Sequence, residues 1–463
     1  MAEPHIEEVP YQADSASRFA QWATAPWSIF LDSCAWEGER GRYDVLAAAP
    51  YITLTTQGTH TEVLGPDGLS VSRENPFALV RRALGERGPG SADVPFCGGA
   101  MGYFAYDLAR QFERLPACAQ ADIAMPDMAV GIYDWALVVD HRERRAFLVA
   151  AHRDAQTLKQ WPAIRAAALD PEGRQSRRAF RVLSPVQSNL RREDYAEAFG
   201  RIQSYIRAGD CYQVNLAQRY SARAEGDPWS AYCRLRELNP APFSAFFKLP
   251  EGAVLSSSPE RFLRVRAGAV ETRPIKGTRP RGATQGEDLA LAEALRTSPK
   301  DRAENLMIVD LLRNDLGKTC AIGSVQVPEL FGVESYSTVH HLVSAVVGRL
   351  AAGRDALDLL AGCFPGGSIT GAPKLRAMQI IEELEPHRRS VYCGTLGYIS
   401  HHGDMDTNIA IRTLVSSAGW IHAWAGGGIV ADSDREAEYQ ETLDKAQALL
   451  RLLSGASISD VGA

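Results

Sequence analysis

The chain has 463 residues, with 50 Lys and Arg against 56 Asp and Glu for a formal net charge of -6, and it is 45% hydrophobic and 23% charged. This is globular composition, long enough for about three domains or for two lobes sharing one extended core. The mildly acidic balance, without a basic block, excludes nucleic acid and an anionic membrane surface as main partners.

The eight cysteines stand singly with no C-x-x-C pair, as in a reducing compartment, so neither zinc sites nor disulfides are expected. The acidic start MAEPHIEEVPYQ is no secretory leader, and no run approaches the ~18 apolar residues of a membrane helix. The expectation is a soluble cytoplasmic protein.

From Trp27 to His152 the chain reads mostly as strands: WSIFLD, YDVLAAA, YITLTTQ, AVGIYDWALVVD and RAFLVAA are β-branched or aromatic runs between Gly, Pro and Asp punctuation. Between Asp154 and Arg192 it turns polar and Arg-rich, with DPEGRQSRR at the centre. Tyr195, Phe199, Ile202 and Ile206 then fall at helical spacing. This places a boundary near residue 185, between a β-rich lobe (1–185) and a second lobe (186–463) sharing one extended core with it.

In the second lobe, helices are predicted near 192–208, 300–317, 372–385 and 436–453. Strands are predicted at YQVNLAQRY, AVLSSS, HHLVSAVVG, VYCGTLGYIS, NIAIRTLV and WIHAWAGGGIV. Successive strands at hairpin-like intervals favour antiparallel sheet with helices on one face over a doubly wound parallel sheet.

Three constellations bear on chemistry. Asp301 with Glu304, and Glu438 with Glu441, are carboxylate pairs three residues apart on predicted helices, so each pair shares a face. Two such faces brought together offer hard oxygen donors suited to magnesium, although a solvated helix face has the same pattern. In PGGSITGAPKLRAM, Gly366, Gly367 and Gly371 leave Ser368, Thr370 and backbone N–H groups near a helix start. That turn suits an anion but lacks the Gly-Lys-Ser/Thr ending of a nucleotide loop. Lys276 lies in ETRPIKGTRPRG among Arg273, Arg279 and Arg281; neighbouring cations and burial lower a lysine pKa, and a neutral amine is a nucleophile.

DCYQVNLAQRY, SSSPERF, RPIKGTRPRG, AENLMIVDLLRNDLGK, VHHLVS, FPGGSITGAPKLRAM, GTLGYIS, MDTNIAIRT and GGGIVADSDREAEYQETLDKA follow in that order. Together they resemble the chorismate-binding family, strongly over roughly 190–453 and more loosely before. The resemblance implies an α+β fold: two large, mostly antiparallel β-sheets packed as a sandwich with helices on the outer faces. Members that add water at C2 of chorismate carry a lysine base where this chain has Gln213. Members making anthranilate typically read PIAGT where this chain reads PIKGT. The expected reaction is therefore amination of chorismate at C4, with the anthranilate-forming and then the isochorismate- or salicylate-forming activities as alternatives.

The resemblance also implies roles. Lys276 would be the nucleophile and Glu260 the general acid. Glu304 and Glu441 would hold magnesium, with Asp301 and Glu438 assisting. Tyr392 and Arg412 would take the enolpyruvyl carboxylate, and Lys445, His341, Thr278, Ser368, Gly426 and Gly428 would complete the pocket, with Gln213 at the water-activating position. Cys393 sits inside the synthase pattern and no glutaminase nucleophile is evident, so a glutamine amidotransferase partner is expected, and a separate lyase to release pyruvate. FLDSCAWEGERGRYD resembles a tryptophan-binding segment, which Ser33, Arg42, Tyr43, Pro242, Phe243 and Ser244 could line. It departs from the inhibitor motif at Asp32 and Gly41.

Overall fold

The computed structural model describes residues 3–34, 41–169, 178–336 and 339–454. Their strands form two sheets in which every pair of neighbouring strands is antiparallel. The thirteen-stranded sheet runs His5–Val9, Arg145–Ala150, Trp135–Asp140, Tyr43–Ala47, Ile29–Asp32, Phe243–Lys248, Gly252–Ser258, Thr413–Ser417, Trp420–Ile429, Gln213–Glu225, Arg181–Val182, with two short strands also on Gln213–Glu225. The twelve-stranded sheet runs Ile275–Pro280, Val339–Arg349, Ala269–Thr272, Arg261–Arg266, Met405–Asn408, Thr395–Ser400, Gly99–Phe104, Met128–Tyr133, Ile52–Gln57, His60–Gly65, Gly68–Ser72, with Gln326–Ser335 also on Val339–Arg349.

Strands from both sides of residue 185 lie in each sheet. Phe30 pairs with Phe246 in one, and Tyr103 with Leu396 in the other. The period of two along a strand then sorts side chains by face. Phe247 joins Val45, Val254, Met101, Tyr103, Val130 and Leu263 in the core between the sheets. Its neighbour Phe246 points the other way, onto Phe19, Trp229 and Tyr232 beneath the outer helices. The sandwich with external helices is the architecture that the family resemblance implied.

The four predicted helices span Arg192–Arg207, Pro299–Gly317, Lys374–Leu384 and Arg435–Ser454. Ser298 begins the second: its side chain accepts the Asp301 N–H, and Pro299 follows in the first turn. Other segments depart from expectation. The polar stretch after Asp154 contains a helix, Ala155–Leu169; its Ala-rich composition and mostly exposed faces leave no apolar stripe to read. DPEGRQSR (170–177) lies outside the described residues, as do 35–40 of the tryptophan-type segment. AVGIYDWALVVD is two strands, one in each sheet, parted at Asp134. VYCGTLGYIS forms a strand only from Thr395, and NIAIRTLV is broken between Asn408 and Thr413.

All eight cysteines are free thiols. Among the described residues no helix is long and apolar enough to cross a membrane.

Phe247 is fully buried where the sheets meet. Phe247→Ala is expected to destabilise the fold by about 3–5 kcal/mol, the usual result of emptying a buried phenylalanine site. Urea unfolding measures this, and a loss under about 1 kcal/mol would contradict the packing described.

Candidate active site

A cavity of about 480 Å³ opens beside the ends of Gln213–Glu225 and Trp420–Ile429. Its walls come from several elements. The strand Trp420–Ile429 brings Trp424, Gly426 and Gly428, and the helix that follows it brings Glu438, Glu441 and Lys445. The helix Pro299–Gly317 contributes Lys300, Asp301 and Glu304, and the strand Ile275–Pro280 contributes Lys276 and Thr278. The Gly-rich turn supplies Ser368, while Glu260, His341, Arg389, Tyr392 and Arg412 close the remainder.

Lys276 sits in an edge strand and not in a basic loop. The strand Ile275–Pro280 pairs with Val339–Arg349 through a register shift between Ile275 and Thr278, which accommodates Gly277 at φ +78°. A Cβ on Gly277 would meet Asp301 Oδ1 at 2.8 Å. The missing side chain therefore lets the acidic helix lie directly against the lysine strand. Gly427 does the same service on the opposite wall, where a Cβ would come 3.1 Å from Glu438 Oε2.

The half-buried Lys276 donates from Nζ to the Ser368 carbonyl at 3.4 Å. Burial pushes its pKa below the ordinary lysine value and nearby Lys445 acts in the same direction, against the opposing pull of Glu304, Glu260 and Glu441. The same Ser368 donates from Oγ to Glu260 Oε1 at 2.9 Å, and Glu260 is 6% exposed. The amine and the carboxyl thus meet on one serine.

Charge in the cavity is closely paired. Arg279 bonds Asp301 at 2.8 Å, Lys300 reaches Glu438 at 3.5 Å and Glu304 at 3.9 Å, and Lys445 reaches Glu441 at 2.6 Å. Burial raises the Glu304 pKa, and the neighbouring Glu438 and Glu441 add to it against the opposing pull of Lys276 and Lys300. Glu441 is held below the carboxylate range because Lys445 and Lys300 outweigh its burial. These all-oxygen donors match a hard divalent cation in type. Among the described residues, however, no three His, Cys, Asp or Glu groups stand close enough to hold a metal ion as they are. Drawing the carboxylates together requires Lys300 and Lys445 to turn aside.

At the other end, Arg412 has no carboxylate partner among the described residues. Its side chain donates from Nη1 to Asn239 Oδ1 at 3.3 Å, and burial alone lowers its pKa. A desolvated guanidinium of this kind suits a planar carboxylate. Tyr392 stands beside it, stacked on Trp424 with ring centroids 5.7 Å apart and planes 5° from parallel. Thr278 Oγ1 and His341 Nδ1 are 2.9 Å apart.

Of the expected site residues, Lys276, Glu260, Tyr392, Arg412, Lys445, His341, Thr278, Ser368, Gly426, Gly428, Glu304, Glu441, Asp301 and Glu438 all line this one cavity. Gln213 does not. It is fully buried behind the wall, its carboxamide without a hydrogen-bond partner among the described residues, because its strand pairs there with Ala372 and turns it inward. Lys300, Arg389 and Trp424 were not singled out in the sequence. Lys300 directly precedes the Asp301–Glu304 pair, and that adjacency was the available signal.

A second cavity of about 210 Å³ between the sheets is lined by Arg42, Tyr43, Pro242, Phe243 and Ser244 of the tryptophan-type set. Ser33 is not in its wall: buried at 1%, it donates both N–H and Oγ to Asp44 Oδ1 at 2.7 and 2.6 Å. Arg42 is already engaged by Asp140 at 2.7 Å.

Comparison with known proteins agrees with the geometry. The profile of chorismate binding enzymes matches residues 31–451. Aminodeoxychorismate synthase component 1 of Klebsiella aerogenes is 49% identical over 457 residues, covering 98% of this chain and 100% of that one. Anthranilate synthase component 1 of Thermus thermophilus is 42% identical over 434 residues, with 92% of each chain covered. The crystal structure of anthranilate synthase component I from Streptococcus pneumoniae superposes with a TM-score of 0.78 at 32% identity, over 90% of this chain and 93% of that one. With a cavity assembled from motifs on every side and a match that spans nearly the whole chain, this protein belongs to the chorismate-binding enzyme family.

Proposed function

We propose that the chain aminates chorismate at C4, giving 4-amino-4-deoxychorismate for 4-aminobenzoate and folate synthesis, with ammonia delivered by a glutamine amidotransferase partner. The observation that carries this reading is the convergence of the depressed-pKa Lys276 and the buried Glu260 on Ser368. The 49% identity to an aminodeoxychorismate synthase component 1 over nearly the full length supports it. The name of that relative also implies a second component. Loss of pyruvate from the product falls to a separate lyase.

In this mechanism the neutral Lys276 amine bonds to C2 of the ring as the double bond shifts. The C4–O bond breaks, and the leaving hydroxide departs as water with the Glu260 proton. Ammonia then bonds to C4, the double bond shifts back, and the C2–N bond breaks to return the neutral lysine. Ammonium supplies the proton that restores Glu260, so chorismate and ammonium become protonated product and water. By occupying C2, Lys276 directs nitrogen to the position para to the ring carboxylate. Arg412 and Tyr392 would orient the enolpyruvyl carboxylate. Glu304 and Glu441, with Asp301 and Glu438, would hold magnesium, which neutralises the ring carboxylate when bound.

Incubation of the chain with chorismate, ammonium and magnesium, with and without an aminodeoxychorismate lyase, tests the reaction. The expected product is 4-aminobenzoate only when the lyase is present; anthranilate without lyase would overturn the assignment. Lys276→Ala is expected to abolish 4-amination, and Glu260→Gln to slow it by about 10²–10⁴-fold, the usual worth of a general acid.

Without ammonia, chorismate should leave a covalent adduct on Lys276, detectable by intact mass. Only the neutral amine attacks, so adduct formation should rise with pH through the lowered Lys276 pKa and level off below the ~10.4 of a free lysine. A midpoint at the ordinary lysine value would contradict the role of burial.

Glu441→Gln and Glu304→Gln should each weaken magnesium binding, measured by calorimetry without chorismate, by about 10-fold or more, whereas equal affinity would dismiss both as ligands.

A further inference from the structure

Lys276 and Glu260 both depend on Ser368, through its carbonyl and its hydroxyl. Ser368 lies in a Gly-rich turn, Gly366 to Gly371, which on its own would not hold a serine still. Its carbonyl also accepts from Asn215 Nδ2 at 2.9 Å, and the Asn215 N–H reaches the Thr370 carbonyl at 2.9 Å. The turn is therefore fastened to the strand Gln213–Glu225.

One side chain fixes both partners of that junction. Arg389, 2% exposed, donates from Nη1 to the Ile369 carbonyl at 2.9 Å and from Nη2 to the Asn215 carbonyl at 2.8 Å. Its remaining bonds go to Glu385, at 3.0 Å from Nε and 2.6 Å from Nη2. Glu385, 5% exposed, in turn accepts the Ala217 N–H at 2.9 Å. The guanidinium lies 4.9 Å from the Tyr106 ring centroid and 6.0 Å from that of Tyr392.

Although Arg389 borders the cavity, its fork is already committed to two carbonyls and a carboxylate. Arg412, whose guanidinium bonds Asn239 alone among the described residues, is the opposite case. A buried ion pair of this sort is not in general more stabilising than apolar residues of the same shape. What a planar fork adds is geometry, since it holds two backbone oxygens at a fixed separation.

We propose that Arg389, held by Glu385, is a positioning residue that locks the Ser368 turn against Asn215 and so keeps Lys276 and Glu260 in register with each other. This rests on the proposed roles of Lys276 and Glu260.

The test compares Arg389→Lys, Arg389→Met and the double variant Arg389→Met/Glu385→Gln. The double variant leaves no unpaired buried charge and keeps an acceptor for the Ala217 N–H. Thermal midpoint, kcat and chorismate KM are measured for each. Arg389→Met is expected to lose thermal stability, and the double variant to regain most of it. Yet kcat should stay about 10–100-fold below wild type in the double variant, the scale of a misplacement near 1 Å, with KM within about threefold. Arg389→Lys should fall between, because an ammonium cannot hold both carbonyls in one plane.

Recovery of kcat together with stability would reduce the pair to a structural part, and a loss confined to KM would make Arg389 a substrate ligand. Either outcome overturns the proposal. A readout that needs no chorismate is acetylation of Lys276 by acetic anhydride, followed by peptide mass. Loosening the Ser368 carbonyl should move its pH profile to lower pH in the double variant, and an unchanged profile would count against positioning even if the wild-type chain proved to act on another substrate.

Discussion

The pairing of Gln213–Glu225 with Trp420–Ile429, in register from Val214 on Ile429 to Arg223 on Trp420, is the constraint from which the site follows. One strand carries Asn215, which fastens the Ser368 turn, and begins in a short pairing with Gly371 and Ala372. The other carries Trp424 and the glycines, then leads into the helix bearing Glu438, Glu441 and Lys445. A slip of one residue would turn every side chain to the other face. It would remove the lining and the helix start from the cavity together. The register is secured by burial on both faces, with Leu216, Ala423, Ala425 and Ile429 beneath the outer helices on one side and Ala217 and Trp424 in the core between the sheets on the other.

The cavity concentrates ionised groups, and opposite charges offset part of the repulsion between like ones. Asp301, Glu304, Glu438 and Glu441 each have a cationic neighbour, and the half-buried Arg412 stands apart from them. Removing charges from water is expensive unless they are paired. Lys300 and Lys445 are exposed, so their ion pairs add little stability, but a divalent cation taking these carboxylates would have to displace them. Lys276 is poised by the same field: the depressed value comes from burial and Lys445, and the surrounding carboxylates limit the depression.

Much of this was legible in the sequence, for physical reasons that differ by element. The helix Arg192–Arg207 announces itself because Tyr195, Phe199 and Ile202 share a buried face. The motifs of the second half are legible because the residues that line a polar cavity are types that seldom occur together by chance. The strand Ile275–Pro280 was hidden: Gly277 and Pro280 within it and Pro274 just before it argue against a strand unless it lies at an edge with a bulge, as this one does. The division of Met128–Asp140 between two sheets is invisible in a continuous apolar run, since periodicity reports burial and not which sheet is joined. Gln213 was placed in the pocket by analogy, and its strand register turns it behind the wall. Arg389 reads in sequence as one of two adjacent arginines, and nothing local distinguishes the buried one.

The interleaving of the two halves has a consequence for synthesis. The strand Gly99–Phe104 has Met128–Tyr133 on one side from early on, but its other neighbour, Thr395–Ser400, lies some 300 residues later. At a translation speed of 5–20 residues per second, its edge waits roughly 15–60 s on the ribosome for that partner. An unpaired edge of this length is a template for pairing with other chains. The nascent first half is thus the phase of this protein's life most dependent on chaperones, and a codon change that slows elongation between residues 104 and 395 would act there, on yield, and leave the finished enzyme unaltered.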